Sequence, residues 1–354
     1  MKKIFILSLC IGVTVSLLAQ KSTLDSLFKQ VAMEGYSGTV LYAKDGKILS
    51  HLANGYRSFE SKSVLSNTDI FELASISKQF TAMIIMMCKE KGLLSFDDPI
   101  NKYVTIPYSG ISIRQLLHHT SGLPDYQAIM DQHWDKTKIA GNTDIIEYLN
   151  KYVVPVSFQS ADKYEYSNTG YVLLASIAEK VTGKDFIDLC NQWIFKPLQM
   201  NDTKLRSNEE KLKTKRFAYG HMLDTSSTYV NANKFHSSDY TVWLGKRKGP
   251  GRISSTANDL LIWDQALYSE KLVSYPTLQE AFTSGLTNDG KPIDYGFGWV
   301  TSKTKNGEQL IYHTGSNPGY ATIIVRKPMS KETFIMLNNN DHPSQQKLVK
   351  FFLK

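Results

Sequence analysis

Residues 37–43, Ser-Gly-Thr-Val-Leu-Tyr-Ala, alternate with a period of two and predict a strand; Asp45-Gly46 supplies turn chemistry, and residues 48–53 read as its hairpin partner. The rhythm changes at Phe80 to Met87, a continuous apolar run that predicts a buried helix. Helical periodicity also covers residues 24–33, 114–118, 143–151, 171–181, 186–195 and 260–267, the last preceded by Thr256-Ala257-Asn258-Asp259, which has capping-box spacing. Strand character returns at 295–301, 309–314, 321–326 and 333–338, and residues 345–354 close the chain as a short amphipathic helix. Residues 55–68 and 201–252 are polar and offer few clean elements. Strands at both ends with a helical middle predict an α+β fold. One antiparallel sheet is built from both chain ends and flanked by helices, and a mostly helical lobe is inserted. The α/β lobe is expected at about 21–95 and 285–354 and the helical lobe at about 96–284.

Composition changes this picture mainly at the N-terminus. Lys2 and Lys3 precede an apolar stretch from Ile4 to Leu18 and then Ala19-Gln20, so residues 1–20 read as a cleaved export signal and the product as periplasmic or secreted. That stretch is short for a membrane span and no later segment qualifies, so no stable membrane insertion is expected once the signal is removed. Losing the two signal lysines takes the formal charge from +8 to +6. The one dense basic cluster is Lys246-Arg247-Lys248, and no aromatic-interleaved basic stripe accompanies it, so nucleic acid is not expected as a partner. Of three cysteines, Cys10 leaves with the signal; Cys88 and Cys190 lie in helical patterns and read as buried thiols, with pairing left open. No Cys/His spacing suggests a metal site, adjacent His118 and His119 read as packing or capping residues, and no cofactor is expected.

The candidate chemistry begins at Ser75-Ile76-Ser77-Lys78, where the apolar helix starts. A spacing of three puts both side chains on one helical face, so the amine can reach the hydroxyl. A helix N-terminus disfavours an ammonium, and partial burial adds to this, so Lys78 should be able to take a proton from serine. The pattern alone is common: S-x-x-K also starts at Ser26, Ser160, Ser302 and Ser344. Two further stretches single out the copy at Ser75. Tyr166-Ser167-Asn168 lies in a loop just before a helix, able to present a phenol and an amide, although Y-x-N recurs at Tyr148 and Tyr229. His313-Thr314-Gly315-Ser316 ends a predicted strand.

In this order, separated by 91 and then 147 residues, SISK, YSN and HTG resemble the penicillin-recognising serine hydrolases. These are the class C β-lactamases, the D-Ala-D-Ala carboxypeptidases of low molecular mass, and related esterases and D-aminopeptidases. Residues 116–123 (LLHHTSGL), 196–200 (KPLQM), 253–260 (ISSTANDL) and 295–299 (YGFGW) carry the same resemblance across the chain. It implies a β-lactamase/transpeptidase-like fold and acyl-enzyme chemistry on D-amino-acid peptides, related amides or small acyl esters. Alternatives are a dedicated esterase, or a penicillin-binding sensor that acylates but deacylates slowly. The resemblance implies Ser75 as nucleophile, Lys78 and Tyr166 as proton-transfer groups, and backbone N–H groups of Ser75 and Ser316 as the oxyanion hole. Asn168, His313, Thr314 and Gly315 would contact a small-molecule or peptidoglycan-derived peptide substrate. For Tyr166 to act as a base, neighbouring cations, Lys78 foremost, should hold its phenol below its usual value. His313 stands where the family has lysine, so it should gain charge, and affinity for carboxylate substrates, below roughly pH 6.

Overall fold

The hairpin expected from residues 37–53 forms β1 (Gly38–Lys44) and β2 (Lys47–Asn54), turning at Asp45 and Gly46, both with positive φ. A computed structural model describes residues 20–354; the export signal at 1–20 falls outside these except for Gln20. A helix over residues 20–33 (α1) leads into β1. The C-terminal strands are β3 (Val300–Lys303), β4 (Gln309–Asn317), β5 (Tyr320–Lys327) and β6 (Glu332–Asn338), followed by α5 (Gln345–Phe352). They join the hairpin in one antiparallel sheet of order β3-β4-β5-β6-β1-β2. β1 is paired on both sides, one strand in from the β2 edge, with Gly38 opposite Asn338 on one side and Asn54 on the other.

Period-two alternation decides what each face of this sheet covers. Val40 and Tyr42 of β1, with Phe334 and Met336 of β6, pack with Leu24, Phe28, Leu348 and Phe352 from the two terminal helices. Leu41, Ala43, Ile335 and Leu337 point the other way, into the main core. There they meet α2 (Ser77–Glu90) and α4 (Ala257–Ala266), while α3 (Asn168–Thr182) packs behind α2. α2 is buried on nearly every side, which is why its sequence is apolar without a polar face.

Several local expectations shift. Residues 55–68 contain a small hairpin, Tyr56–Ser58 with Ser63–Val64. Residues 295–299 are not a strand: Gly298 has φ +77, and a Cβ there would meet the Lys78 carbonyl oxygen at 2.9 Å, so the chain bends to lie against α2. The helix at 186–195 changes from α to a π-turn at Cys190–Phe195. At α4 the capping box forms by half. Thr256 accepts from the Asp259 N–H, but the Asp259 carboxylate turns away to the Asp202 N–H and the Thr203 hydroxyl. Helices at Tyr126–His133 and Tyr275–Ala281 carried too little periodicity to be read. Cys88 and Cys190 are both free and buried. The basic cluster is no patch: Arg247 points inward and Lys248 pairs with Glu179 and Asp185. Among the described residues no helix is long and apolar enough to cross a membrane.

Candidate active site

Ser75 lies in a single 3-10 turn, Ala74–Ile76, that feeds directly into α2. Ala74 holds a left-handed φ of +49, which L-residues adopt at a cost. The turn is anchored from several sides. The Leu73 N–H donates to Ile253, the Leu73 carbonyl accepts from Thr322, and the Ser77 hydroxyl accepts from the Ile253 N–H.

Lys78, in the first turn of α2, is fully buried. Its Nζ lies 2.8 Å from Asn168 Oδ1, 2.9 Å from the Pro250 carbonyl and 3.2 Å from Ser75 Oγ. Among the described residues no carboxylate pairs with it. Burial first, and the Arg247 guanidinium second, hold the amine well below its ordinary value. A neutral amine fits these contacts. The two amide-type oxygens can only accept, so they take its two N–H bonds, and its lone pair is left for the one neighbour that can donate, the Ser75 hydroxyl. The N-termini of α2 and α3 also converge here, and both disfavour a cation.

Asn168 opens α3, with Ser167 as the actual N-cap. Lys78 Nζ sits 4.6 Å from the Tyr166 ring centroid, over its face and not bonded to its hydroxyl. Burial pushes the Tyr166 phenol up, opposed by a hydrogen bond with Ser75. The expected depression by Lys78 is therefore absent, because the amine meets the π-face and not the oxygen. Tyr166 remains 40 % exposed, so the upward push is weakest with water in the cleft and strongest once a substrate covers it.

β3 stops at Val300, opposite Tyr312, so β4 from His313 to Asn317 has a strand neighbour only on the β5 side. Near its Gly315 the Ser75 turn comes so close that a Cβ would lie 2.2 Å from the Leu73 carbonyl oxygen and 3.1 Å from Ala74 Cβ. Only glycine permits that approach. Thr314 and Ser316 are exposed, and the Asn317 amide is tied to Glu72, three residues before Ser75. His313 is the second departure from expectation. It is buried, its Nδ1 donates to the Thr314 carbonyl at 2.6 Å, and its Nε2 accepts from the Tyr295 hydroxyl at 2.8 Å. Burial foremost pushes its pKa down to about 3, so it carries no charge at pH 6.

Ser75, Lys78, Tyr166, Asn168, His313 and Gly315 thus converge from three separate stretches. The match to known proteins is equally broad: the family model described as Beta-lactamase covers residues 24–352. The chain belongs to the beta-lactamase family. Within it, the chain is 38 % identical over 332 residues to penicillin-binding protein 4* of Bacillus subtilis (strain 168), across 92 % of this chain and 73 % of the relative. It spans 64 % of the next curated relatives. The octameric penicillin-binding protein homologue from Pyrococcus abyssi superposes with a TM-score of 0.76 at 27 % identity, over 92 % of this chain and 74 % of that one. D-amino acid amidase from Ochrobactrum anthropi SV3 superposes with a TM-score of 0.77 over 94 % and 96 % at 22 % identity, a likeness of fold. As a member of this family the chain is a serine hydrolase of the acyl-transfer type.

Sequence reasoning missed two neighbours of the family site. Arg247 looked like part of a surface cluster, yet it is buried against Tyr126 and its charge acts on Lys78. His119 looked like a packing residue, yet its ring lies 4.3 Å from that of Tyr166. A cavity of about 500 Å³ lined by Arg114, His118 and Glu280 includes none of the converging residues.

Proposed function

We propose that the mature protein is an exported hydrolase that cleaves amides and esters of D-amino acids, with activity on small acyl esters, through an acyl-enzyme on Ser75. The observation that carries this reading is the Lys78 amine, buried, without a carboxylate partner and 3.2 Å from Ser75 Oγ. In the proposed sequence Ser75 gives its proton to the Lys78 lone pair and attacks the substrate carbonyl. The oxyanion lies between the backbone N–H groups of Ser75 and Ser316. The neutral Tyr166 phenol protonates the leaving group and regains a proton from Lys78. Water then attacks the acyl group, losing its proton back through the same pair, and Ser75 is released. Asn168, its Oδ1 held by Lys78, offers its amide nitrogen to the acyl side of the substrate.

Support for export comes from the charged and then apolar pattern of residues 1–20, and support for acylation by a penicillin from the likeness to the penicillin-binding protein of Bacillus subtilis. The neutral state of His313 favours substrates without a free carboxylate, since a family lysine would have supplied the cation there. That leans the reading toward amides and esters and away from a carboxypeptidase. The test is covalent labelling with a fluorophosphonate and with a penicillin. Label is expected on the peptide containing Ser75, and Ser75→Ala should lose both label and turnover while melting like the wild type. Label on Ser26, Ser160, Ser302 or Ser344 would refute the assignment.

A further inference from the structure

The loop that carries Tyr166 is gripped on both sides by one residue. The Glu165 N–H donates to the His119 carbonyl at 2.9 Å, and the Ser167 N–H donates to His119 Nδ1 at 3.0 Å. Between those two bonds the His119 ring lies against Tyr166, centroids 4.3 Å apart and planes tilted by 37°. The same ring touches Tyr171 at 5.0 Å and Tyr295 at 4.6 Å, so it is wedged among aromatic side chains and cannot turn freely. His119 is fully buried and has φ +59, a conformation that lets one residue present both its carbonyl and its ring nitrogen to the same passing strand of chain.

We infer that His119 is a positioning residue for the proposed reaction: it clamps residues 165–167 and so fixes the phenol of Tyr166 against Ser75 and Lys78. The inference rests on the proton-transfer role proposed for Tyr166. Its chemistry requires that Nδ1 keep its lone pair. The Ser167 N–H can only donate, so Nδ1 accepts and the ring proton sits on Nε2, which is buried without a partner among the described residues. Burial foremost holds the imidazole well below its ordinary pKa, so it stays an acceptor throughout the working range. An imidazolium would replace that acceptor with a second donor facing the Ser167 N–H. Among the described residues no other side chain holds the Ser167 N–H, and the reach of the Tyr166 hydroxyl to Ser75 is set by this backbone placement together with the packing of its ring.

The experiment uses two substitutions that both accept a positive φ. His119→Asn keeps an acceptor, Oδ1, near the position of Nδ1, whereas His119→Gly keeps only the backbone. Each is made in the full chain, with Tyr166 and with Tyr166→Phe, and kcat and KM are read with a chromogenic ester. With Tyr166 present, His119→Gly is expected to lower kcat about tenfold or more with KM within about threefold, while His119→Asn stays within about threefold. In the Tyr166→Phe background both should change kcat by less than about twofold, because there is no longer a hydroxyl to place. A merely structural role would act equally in both backgrounds. Equal losses with and without the hydroxyl would overturn the clamp while leaving Tyr166 in its role. A wild-type rate in Tyr166→Phe itself would overturn the role and the clamp together. Should His119→Gly not fold, His119→Asn decides alone: a loss beyond about thirtyfold at intact folding would show that the acceptor is not what matters.

Discussion

Gly315→Ala isolates the spacing between β4 and the Ser75 turn, because it adds one methyl group and removes nothing. That methyl would lie 2.2 Å from the Leu73 carbonyl oxygen and 2.3 Å from Thr322 Oγ1. Ordinary carbon–oxygen contact begins at about 3.3 Å, so roughly 1 Å must be found. Neither neighbour can yield it cheaply, since one is backbone and the two are hydrogen-bonded to each other at 2.9 Å. The strand edge must therefore move away from Ser75 and take the Ser316 N–H with it. A displacement on the order of 1 Å in a reacting geometry costs about a hundredfold in rate, and forced overpacking costs about 1–3 kcal/mol of stability. Steady-state hydrolysis of a chromogenic ester and a urea unfolding curve on the same preparation read both. The expected result is a kcat lower by about two orders of magnitude in a protein that still unfolds cooperatively, at lower urea. A kcat within about threefold of wild type with an unchanged midpoint would mean that the approach of β4 to Ser75 is not what sets the site.

His313→Lys should raise kcat/KM for a depsipeptide with a free carboxylate, relative to its methyl ester, by about tenfold or more. The wild-type ratio should stay flat from pH 8 to 5, because His313 is held at about 3. A wild-type ratio that climbs on acidification would restore a charge-reading histidine. Lys78→Arg puts a permanent cation where a neutral amine is required, so turnover should fall by at least about a hundredfold; modest loss would argue that a cation suffices. Stability should also depend on pH through the buried rings. Burial pushes His51 and His118 down to about 4 and His313 to about 3, from an ordinary value of 6.5. The unfolded chain therefore takes up protons first, so these groups' contribution is complete above about pH 7, shrinks as pH falls from 6.5 to 4, and stops changing below their folded values. A urea midpoint constant between pH 7 and 4.5 would contradict this.

The placement of the candidate residues was legible wherever it depends on spacing along one element. Ser75 and Lys78 sit within a turn of each other, and Tyr166, in the loop just before α3, could be recognised as facing outward, so these needed no tertiary knowledge. What could not be read was set by distant segments. His119 gains its purpose only because residues 165–167 return beside it, and nothing in His118-His119 signals that. The ring orientation of His313 depends on Tyr295 and its charge state on the depth of its burial, neither of which is a property of HTG. Tyr295 to Trp299 has strand-like aromatics, but Gly298 bends it onto α2 and Gly296 lies tight against the Ala281 carbonyl. At α4 the capping spacing was right, yet the Asp259 carboxylate found two donors near Asp202 that competed with its own helix. For the fold, the period-two segments at both ends carried the sheet, since each buries residues on two faces.

β1 lies between β2, its immediate successor, and β6, about 300 residues further on. Synthesis from the N-terminus therefore delivers a hairpin with one strand edge open and keeps it so until almost the whole chain has emerged. Two faces of that hairpin wait as well, since Tyr42 stacks on Phe334 and Leu41 meets Ile335 only at the end. Long-range pairing of this kind slows folding and leaves apolar edges exposed in the interim. The Ser75 turn is ordered against the Thr322 hydroxyl of β5, so Ser75 is positioned in the same late event. A nascent chain of this topology holds no working site before its last strands arrive, and activity measured during synthesis should appear abruptly, not in proportion to length.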